Sequence, residues 1–489
     1  MAVDEAVPIA ETSPTVPRPV SHLTEAESRA KGKDARAKVP RDSQAEFTAW
    51  PERPDPVALL EEQAKTRVPE LVPIRYGRML VSPFTFYRGA ALIMASDLST
   101  TPRSGLTAQV CGDAHLSNFG VFGSPERSLV FDCNDFDETL PGPWEWDVKR
   151  LAASFVIAAR GRGFSKAVRS ETVLELGQVY RQAVRQMATM SNLDVWYSHV
   201  EVDSGIELVK AEALRTKTKD AQHIAATATK LIDKARTKDS MKALDKLTTV
   251  VDGERRIISD PPLVVPAEEL FPEIEADTQI HMFREVLRKY RATLPTDRKH
   301  LLETYTFSQL ARKVVGVGSV GTRAWIVLMH GQRPEDILFL QAKEAEASVL
   351  ERFTKKSKYE NHGARVVAGQ RLMQASSDIF LGWQRSTGVD GVQRDYYVRQ
   401  LQDWKGSVDV ENAIPAGMRA YAGLCAHTLA RAHSRSGDRV AIASYLGNNP
   451  TFERALLRFA ETYADQNERD YETFAKACKS GRLHAEEGI

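Results

Sequence analysis

The sequence predicts a two-lobed α+β protein, a mainly helical chain with a β-sheet set into it and a helical insertion. Three observations predict it. Between Lys313 and Leu401, β-branched and aromatic runs are broken by glycines: KVVGVGSVGTRAWIVLMHG, DILFLQAKEA, SSDIFLGWQ and RDYYVRQLQ. On either side the text is helical, with apolar residues at three- and four-residue spacing in WEWDVKRLAASFVIAARGRG and SETVLELGQVYRQAVRQMATM. Each part also carries one cluster of chemistry-bearing residues. The expected divisions are a tail (1–45), a helical part (46–300), a β-rich part (301–412) and closing helices (413–489).

Residues 1–45 are polar, charged and Pro-containing. They read as a disordered tail, because they offer little apolar surface to offset ordering entropy. The first residues lack the basic and apolar regions of a secretory signal, and no run is long and apolar enough to span a bilayer. A cytoplasmic protein without a membrane partner is expected. The net charge of +1 provides no global field toward nucleic acid, so no nucleic-acid partner is expected either. Cys111, Cys133, Cys425 and Cys478 form no CxxC pair and are read as reduced thiols.

From Trp50 the chain reads as helix, turn and helix, and then SPFTFYRGAALIMASDL places aromatics ahead of an apolar helix. Short strands and turns occupy 107–137. The Lys-, Ala- and Asp-rich residues 205–250 read as exposed helices of a surface insertion. The adjacent prolines of SDPPLVVP forbid a helix there. Residues 278–312 read as helical, the β pattern starts at Lys313, and the text after Met418 is helical again.

The first cluster is VCGDAHLSNFGVFGSPERSLVFDCNDFDET. Asp113 and Asn118 share a Gly-flanked loop, and Asp135 follows the apolar strand SLVF. Phosphoryl transfer uses such a set: one carboxylate orients the attacking hydroxyl, while an amide oxygen and a second carboxylate hold Mg²⁺ against nucleotide phosphates. The second cluster is GVGSVG, with Gly316, Gly318, Ser319 and Gly321 as candidate phosphate contacts. A helix would follow these glycines in a dinucleotide fold. Here TRAWIVLM follows, so they join two strands, as in a hairpin whose backbone closes over phosphates. Lys343, on the third strand, is placed to hold the α- and β-phosphates of ATP. Its partner by spacing is Glu351, with Glu346 and Glu360 as alternatives. The fifth strand leads to Gln400 and Leu401, whose backbone is the candidate adenine contact. Arg88 is a candidate for bidentate anion binding.

GDAHLSN resembles the GD-x-H-xx-N loop of aminoglycoside and choline kinase-like phosphotransferases, and NDFDET…WEWDVKRLA resembles their DFD…D-L-A segment. That resemblance implies Asp113 as catalytic base, and Asn118 and Asp135 as metal ligands with Asp137 assisting; His115, in the same catalytic loop, reads as a brace and not as a metal ligand. The resemblance also implies Asp147 as a brace of the loop. Asp132 competes for the Asp135 role, and the DFD spelling favours Asp135. SPFTFYRGAA, CGDAHLSNFG, ARKVVGVGSVGTR, GQRLMQASSDIFLGW and LARAHSRSGD look like the bacterial family catalogued as domain of unknown function 2252. The family is grouped with kinase-like folds, which implies a fold and a site but no substrate.

The order of parts departs from a kinase, because Asp113 precedes Gly316. A circularly permuted kinase-like fold accounts for it, since loops tolerate new termini. AYAGLCAHTLARAHSRSGD is then the helix returning to the catalytic loop, with His433 and Asp438 near the site. The expected function is an ATP- and Mg²⁺-dependent phosphotransferase whose partners are the nucleotide and an unidentified, small-molecule acceptor. The rival expectations are a non-catalytic nucleotide-binding regulator, an AMP transferase and a metallophosphoesterase. The last lacks a second His-rich motif after Asp135. Oligomeric state is not legible.

Overall fold

A computed structural model describes residues 22–202, 207, 210–211, 214, 217–236, 246–251, 254–333, 336–401 and 406–489. Residues 1–21 of the expected tail lie outside these. The rest of that tail is ordered, which corrects the expectation. Helix α1 (Glu25–Lys38) starts on a reciprocal capping box between Thr24 and Glu27, and it buries Ser28, Gly32 and Ala35. Its contact face is made of small residues, so no apolar stripe advertised it in the sequence.

Helices α2 (Pro56–Ala64), α3 (Val72–Leu80), α4 (Pro83–Arg88) and α5 (Ala91–Ser99) follow. Ser82 and Thr85 cap α4 reciprocally, with Pro83 at its first position. Next come four strands, β1 (Thr107–Val110), β2 (Phe119–Gly123), β3 (Leu129–Cys133) and β4 (Leu140–Pro143). They pair in a nested manner, β1 with β4 and β2 with β3, both antiparallel. Val110 faces Leu140 and Phe119 faces Cys133. This nesting brings the loop of residues 111–118 alongside the loop of residues 134–139.

Helix α6 (Trp144–Gly161) is buried on all sides from Trp144 to Ala159. It packs with α7 (Lys166–Met187), where the Trp144 and Tyr180 rings stack at 5.5 Å. Helix α8 (Lys219–Arg236) is the described part of the expected insertion. It is not wholly exposed, because Ile232 and Ala235 are buried where it meets β2. Much of the remaining 205–250 segment lies outside the described residues. Strands β5 (Thr248–Val251) and β6 (Glu254–Ile257) form a separate hairpin.

Six strands form the large antiparallel sheet in the order β11-β12-β10-β9-β8-β7. They are β7 (Val264–Pro266), β8 (Thr306–Lys313), β9 (Ala324–His330), β10 (Ile337–Ala345), β11 (Gly382–Thr387) and β12 (Gln393–Gln400). Helix α9 (Ala276–Arg291) lies between β7 and β8, and α10 (His362–Met373) between β10 and β11. The sheet begins earlier than expected. Residues 306–312, read as helical, belong to β8. Its polar, half-exposed text TFSQLARK gives no strong β signal, and pairing with β9 decides its conformation.

Helices α11 (Pro415–Ser436), α12 (Arg439–Leu446) and α13 (Thr451–Lys479) close the chain. They return to α6 and α7 and complete one continuous core with β1–β4. A smaller cluster of Val68, Leu71 and Ile74 against Val314 and Val320 fixes the segment between β8 and β9 to α3. Among the described residues no helix is long and apolar enough to cross a membrane.

Candidate functional site

The loop after β1 is held from beneath. Asp147, in the first turn of α6, accepts the amides of Cys111 at 2.8 Å and Gly112 at 3.0 Å. Gly112 has φ +79°, and a Cβ there would lie 2.5 Å from the Glu138 carbonyl, so only glycine fits. Buried His433, on α11, lies 3.3 Å from Asp147 and 2.8 Å from the Tyr180 hydroxyl. His433 therefore stands behind the loop and reaches it through Asp147. Asp438 is not part of the site: it caps α12 at Ala441 and faces Lys31 at 3.6 Å.

Asp113 forms an ion pair with Arg150, which lies one helical turn after Asp147 and stacks over the Tyr87 ring at 4.5 Å. Burial raises the Asp113 carboxyl above its usual range, and Arg150 opposes the shift. The side chain keeps 22% exposure, toward a cleft. Asn118 donates its amide to the Asp113 carbonyl at 2.7 Å, so its side-chain oxygen is the group left to accept or ligate. His115 lies 3.8 Å from Asp113, and burial together with Arg88 and Arg150 keeps its ring neutral. That position suits a brace.

The loop after β3 separates the acidic residues. Asp132 is 2% exposed and fully engaged, by Arg431 of α11 at 2.6 Å and by the amides of Cys133 and Ala375. It is structural, which removes it as a competitor of Asp135. Asp135 and Asp137 face Lys343 of β10, with Asp135 at 3.8 Å and Asp137 in direct hydrogen bond. The Tyr397 hydroxyl donates to the other Asp137 oxygen at 2.9 Å. Asp137 is thus taken up by protein groups, and its expected help in metal binding is not supported. Burial alone would lower the Lys343 pKa, but Asp135 and Asp137 outweigh it and hold the ammonium charged.

The expected Lys343–Glu351 pair does not form. Asp135 and Asp137 are the ion-pair partners of Lys343, and Glu351 sits in a single turn at Val349–Arg352. Glu346 and Glu360 do not replace it. The helix after the third strand, α10, reads HGARVVAGQRLM and contains no acidic residue. Its buried Arg365 instead donates to the carbonyls of Asp137, Thr139 and Glu346, tying the acidic loop to the sheet.

The glycine segment joins β8 to β9 as expected. Gly316 and Gly321 have φ +68° and +90°, and a Cβ on Gly318 would lie 2.8 Å from the Arg88 carbonyl. Arg78 donates to the Gly316 carbonyl at 2.7 Å, and Arg67 to that of Val320. Of the backbone groups expected to contact adenine, the two amides are used within the protein, although both residues line a cleft. The Gln400 amide donates to Asp378 at 2.6 Å and the Leu401 amide to Phe339 at 2.9 Å, so both are spent internally. Residues 402–405 lie outside the described residues.

Two clefts flank the glycine segment. The wider, of about 770 Å³, is lined by Asp113, His115, Asp137 and Glu351. The narrower, of about 480 Å³, is lined by Lys343, Gln341, Arg399, Gln400 and Leu401. Arg88, Asn118, Asp135, Gly316 and Ser319 line both. Arg88 is largely buried and its Nε has no hydrogen-bond partner. Among the described residues no group of three or more His, Cys, Asp or Glu is disposed to hold a metal ion.

A family model described as an uncharacterized protein conserved in bacteria (DUF2252) matches residues 67–477. The chain belongs to this family. No curated protein and no solved structure matches it.

In this DUF2252 chain several site residues lay outside the sequence reading. Arg150 follows Asp147 at i+3, a spacing that puts both on one helix face, and this was the available signal. Arg399 donates to the Asn134 carbonyl at 3.1 Å and to Gln341 at 3.3 Å, bridging the sheet and the acidic loop. Its alternation with Tyr397 along β12 puts both on the cleft face. Arg67 and Arg75 had no signal in the local text.

Proposed function

We propose that this protein is an ATP- and Mg²⁺-dependent phosphotransferase with a kinase-like, circularly permuted arrangement. The observation that carries the reading is the division of the two clefts. The residue suited to base catalysis, Asp113, lines one, the phosphate-holding candidate Lys343 lines the other, and Asn118 and Asp135 line both. A transferred phosphoryl group must lie between an acceptor and a nucleotide, beside the metal, and this division provides that place.

The order of parts within the sheet supports the same reading. From β8 onward come a glycine hairpin, a lysine on the third strand, a helix, and a fifth strand running to Gln400. That is the succession of a kinase nucleotide lobe. Asn118 and Asp135 are the residues that would hold Mg²⁺. Two protein oxygens suit it, because Mg²⁺ takes its other ligands from phosphates and water. When bound, it would neutralise charge on the phosphate oxygens.

The chain's own groups have distinct parts. Asp113 orients the acceptor hydroxyl and takes its proton as the new P–O bond forms and the bond to the ADP oxygen breaks. Arg150 fixes the Asp113 carboxylate and Asp147 fixes the loop. Lys343 and the glycine segment hold the nucleotide phosphates. Arg88, charged and without a hydrogen bond at Nε, offsets charge on the moving group.

The test measures thermal stabilisation by ATP with and without Mg²⁺, followed by product analysis with hydroxyl-bearing metabolites. Stabilisation that requires Mg²⁺, with ADP released and turnover lost in Asp113→Asn, is expected. Absence of Mg²⁺-dependent stabilisation refutes the reading. AMP as product assigns adenylyl transfer instead. Tight binding without turnover assigns a nucleotide-binding regulator.

A further inference from the structure

We propose that the wider cleft binds a small molecule through a carboxylate or phosphate group seated on Arg67 and Arg75. That its occupant is the phosphoryl acceptor rests on the phosphotransferase reading; the anion site itself rests on the following geometry.

Arg75, on α3, is 1% exposed. One of its nitrogens donates to the Gly89 carbonyl at 3.0 Å and to Gln63 at 3.2 Å, while Nε and Nη1 have no partner and are shut off from water. Arg67 spends one nitrogen on the Val320 carbonyl, and its Nε is likewise buried without a partner. Burial lowers the pKa of both groups. The charge of Arg67 lowers Arg75 further, and no carboxylate offsets it. Other buried arginines have partners: Arg365 is held by three backbone carbonyls, and several others by carboxylates. Arg53 meets Asp97 and Asp470, Arg150 meets Asp113, and Arg431 meets Asp132. Among the described residues neither Arg67 nor Arg75 has a carboxylate within ion-pair distance.

Two neighbouring guanidinium groups, Arg75 fully buried and Arg67 partly so, without an ion-pair partner are costly, and an anion is the group that relieves the cost. The acids of the cleft do not serve. Glu62 is paired with Arg352 at 3.0 Å, Glu344 with Arg323 at 3.3 Å, and Asp137 with Lys343. Glu346, Glu138 and Asp137 exert a field on Arg67, but none makes an ion pair with it, and Glu138 is spent on the Val349 amide. A cleft of about 770 Å³ lies in the range of small-molecule sites. Asp113 lines it too, so a hydroxyl elsewhere on the same molecule is within the reach of the base.

The experiment titrates the full chain, saturated with Mg²⁺ and a non-hydrolysable ATP analogue, with inorganic phosphate and separately with succinate. Calorimetry and melting temperature are read. One of the two anions stabilises the wild type, and the stronger identifies the group. Arg75→Gln weakens that binding by about tenfold or more, as loss of charge-assisted hydrogen bonds requires. Arg75→Lys, which keeps the charge but loses the fork, falls between. Where Arg75→Gln does not fold, Arg67→Gln makes the same comparison.

The proposal is overturned if neither anion binds wild type, if the variants bind it equally, or if the nucleotide analogue competes it away. If the analogue itself fails to bind while Arg75→Gln still abolishes anion binding, the phosphotransferase reading falls and the anion site stands.

Discussion

Lys343→Met isolates the electrostatics of the site. Lys343 is 4% exposed and stands between Asp135 and Asp137, whose side chains are 32% and 29% exposed. Removing one partner of a buried ion pair costs about 3–5 kcal/mol, because the remaining charge is left uncompensated. Here the two carboxylates retain partial access to water, so the expected loss falls to or below the bottom of that range, about 2–3 kcal/mol. Methionine fills the space of the lysine stem, so little of the loss comes from packing. The same change leaves the acidic pair without its resident cation and raises the affinity for Mg²⁺ in the absence of nucleotide. Mg²⁺ at one hundred times its dissociation constant would return about 2.7 kcal/mol. Urea unfolding of both proteins, with and without Mg²⁺, measures these quantities. A loss that Mg²⁺ does not recover, or Mg²⁺ that stabilises wild type and variant equally, would refute the assignment of Asp135 as a metal ligand held by Lys343.

Burial pushes Glu138 up to about 7 from an ordinary 4.5, so the folded state holds its proton more tightly than the unfolded one. Stability should therefore fall as pH rises from about 4.5 to about 7, by at most about 3 kcal/mol, and Glu138→Gln should remove that slope in unfolding measured across the window. Arg431→Met orphans the buried Asp132 and should cost about 3–5 kcal/mol in urea unfolding while leaving Mg²⁺-dependent nucleotide stabilisation in place; loss of the latter would return Asp132 to the metal site. Gly318→Ala places a Cβ 2.8 Å from the Arg88 carbonyl, a backbone atom that yields little, so the loop must shift. Weaker nucleotide stabilisation with a stability loss of about 1–3 kcal/mol is expected from melting curves.

The parts of the site that were legible are those whose chemistry is written in contiguous text. Asp113, Asn118 and Asp135 lie in loops beside short strands, where spacing along the chain is close to spacing in space. Lys343 was legible because it ends the third strand after the glycine hairpin, an order written along the chain. Glu351 was misread because its role required a helix starting soon after β10. The chain instead runs through a single turn and irregular residues to α10. Arg67, Arg75 and Arg399 were illegible for a different reason. An arginine in local text reads as solvated, and only packing of α3, the segment before it and β12 against the rest takes its guanidinium out of water. The same holds for α1, whose Ser28, Gly32 and Ala35 bury by close approach and not by apolar area.

The bracing of the loop of residues 111–118 bears on whether a permuted order is physically reasonable. Asp147 and Arg150 come from α6, before the sheet in the chain, whereas Tyr421, which donates to the Leu116 carbonyl, and His433, which reaches the loop through Asp147, come from α11, after it. The loop is therefore held by helices from both flanks, and those helices share one core with β1–β4. The strands β8–β12 carry their own apolar clusters. They meet the neighbouring loop of residues 134–139 through Lys343, Tyr397 and Arg399, three polar side chains on two adjacent strands. Such a junction depends on where the sheet sits and not on which end of the chain delivers it. Interchanging the order of the two parts then costs connection length, and loop length is thermodynamically cheap. The chemistry proposed for Asp113, Asn118, Asp135 and Lys343 requires their convergence, which the nested pairing of β1–β4 and the placement of β10 together produce.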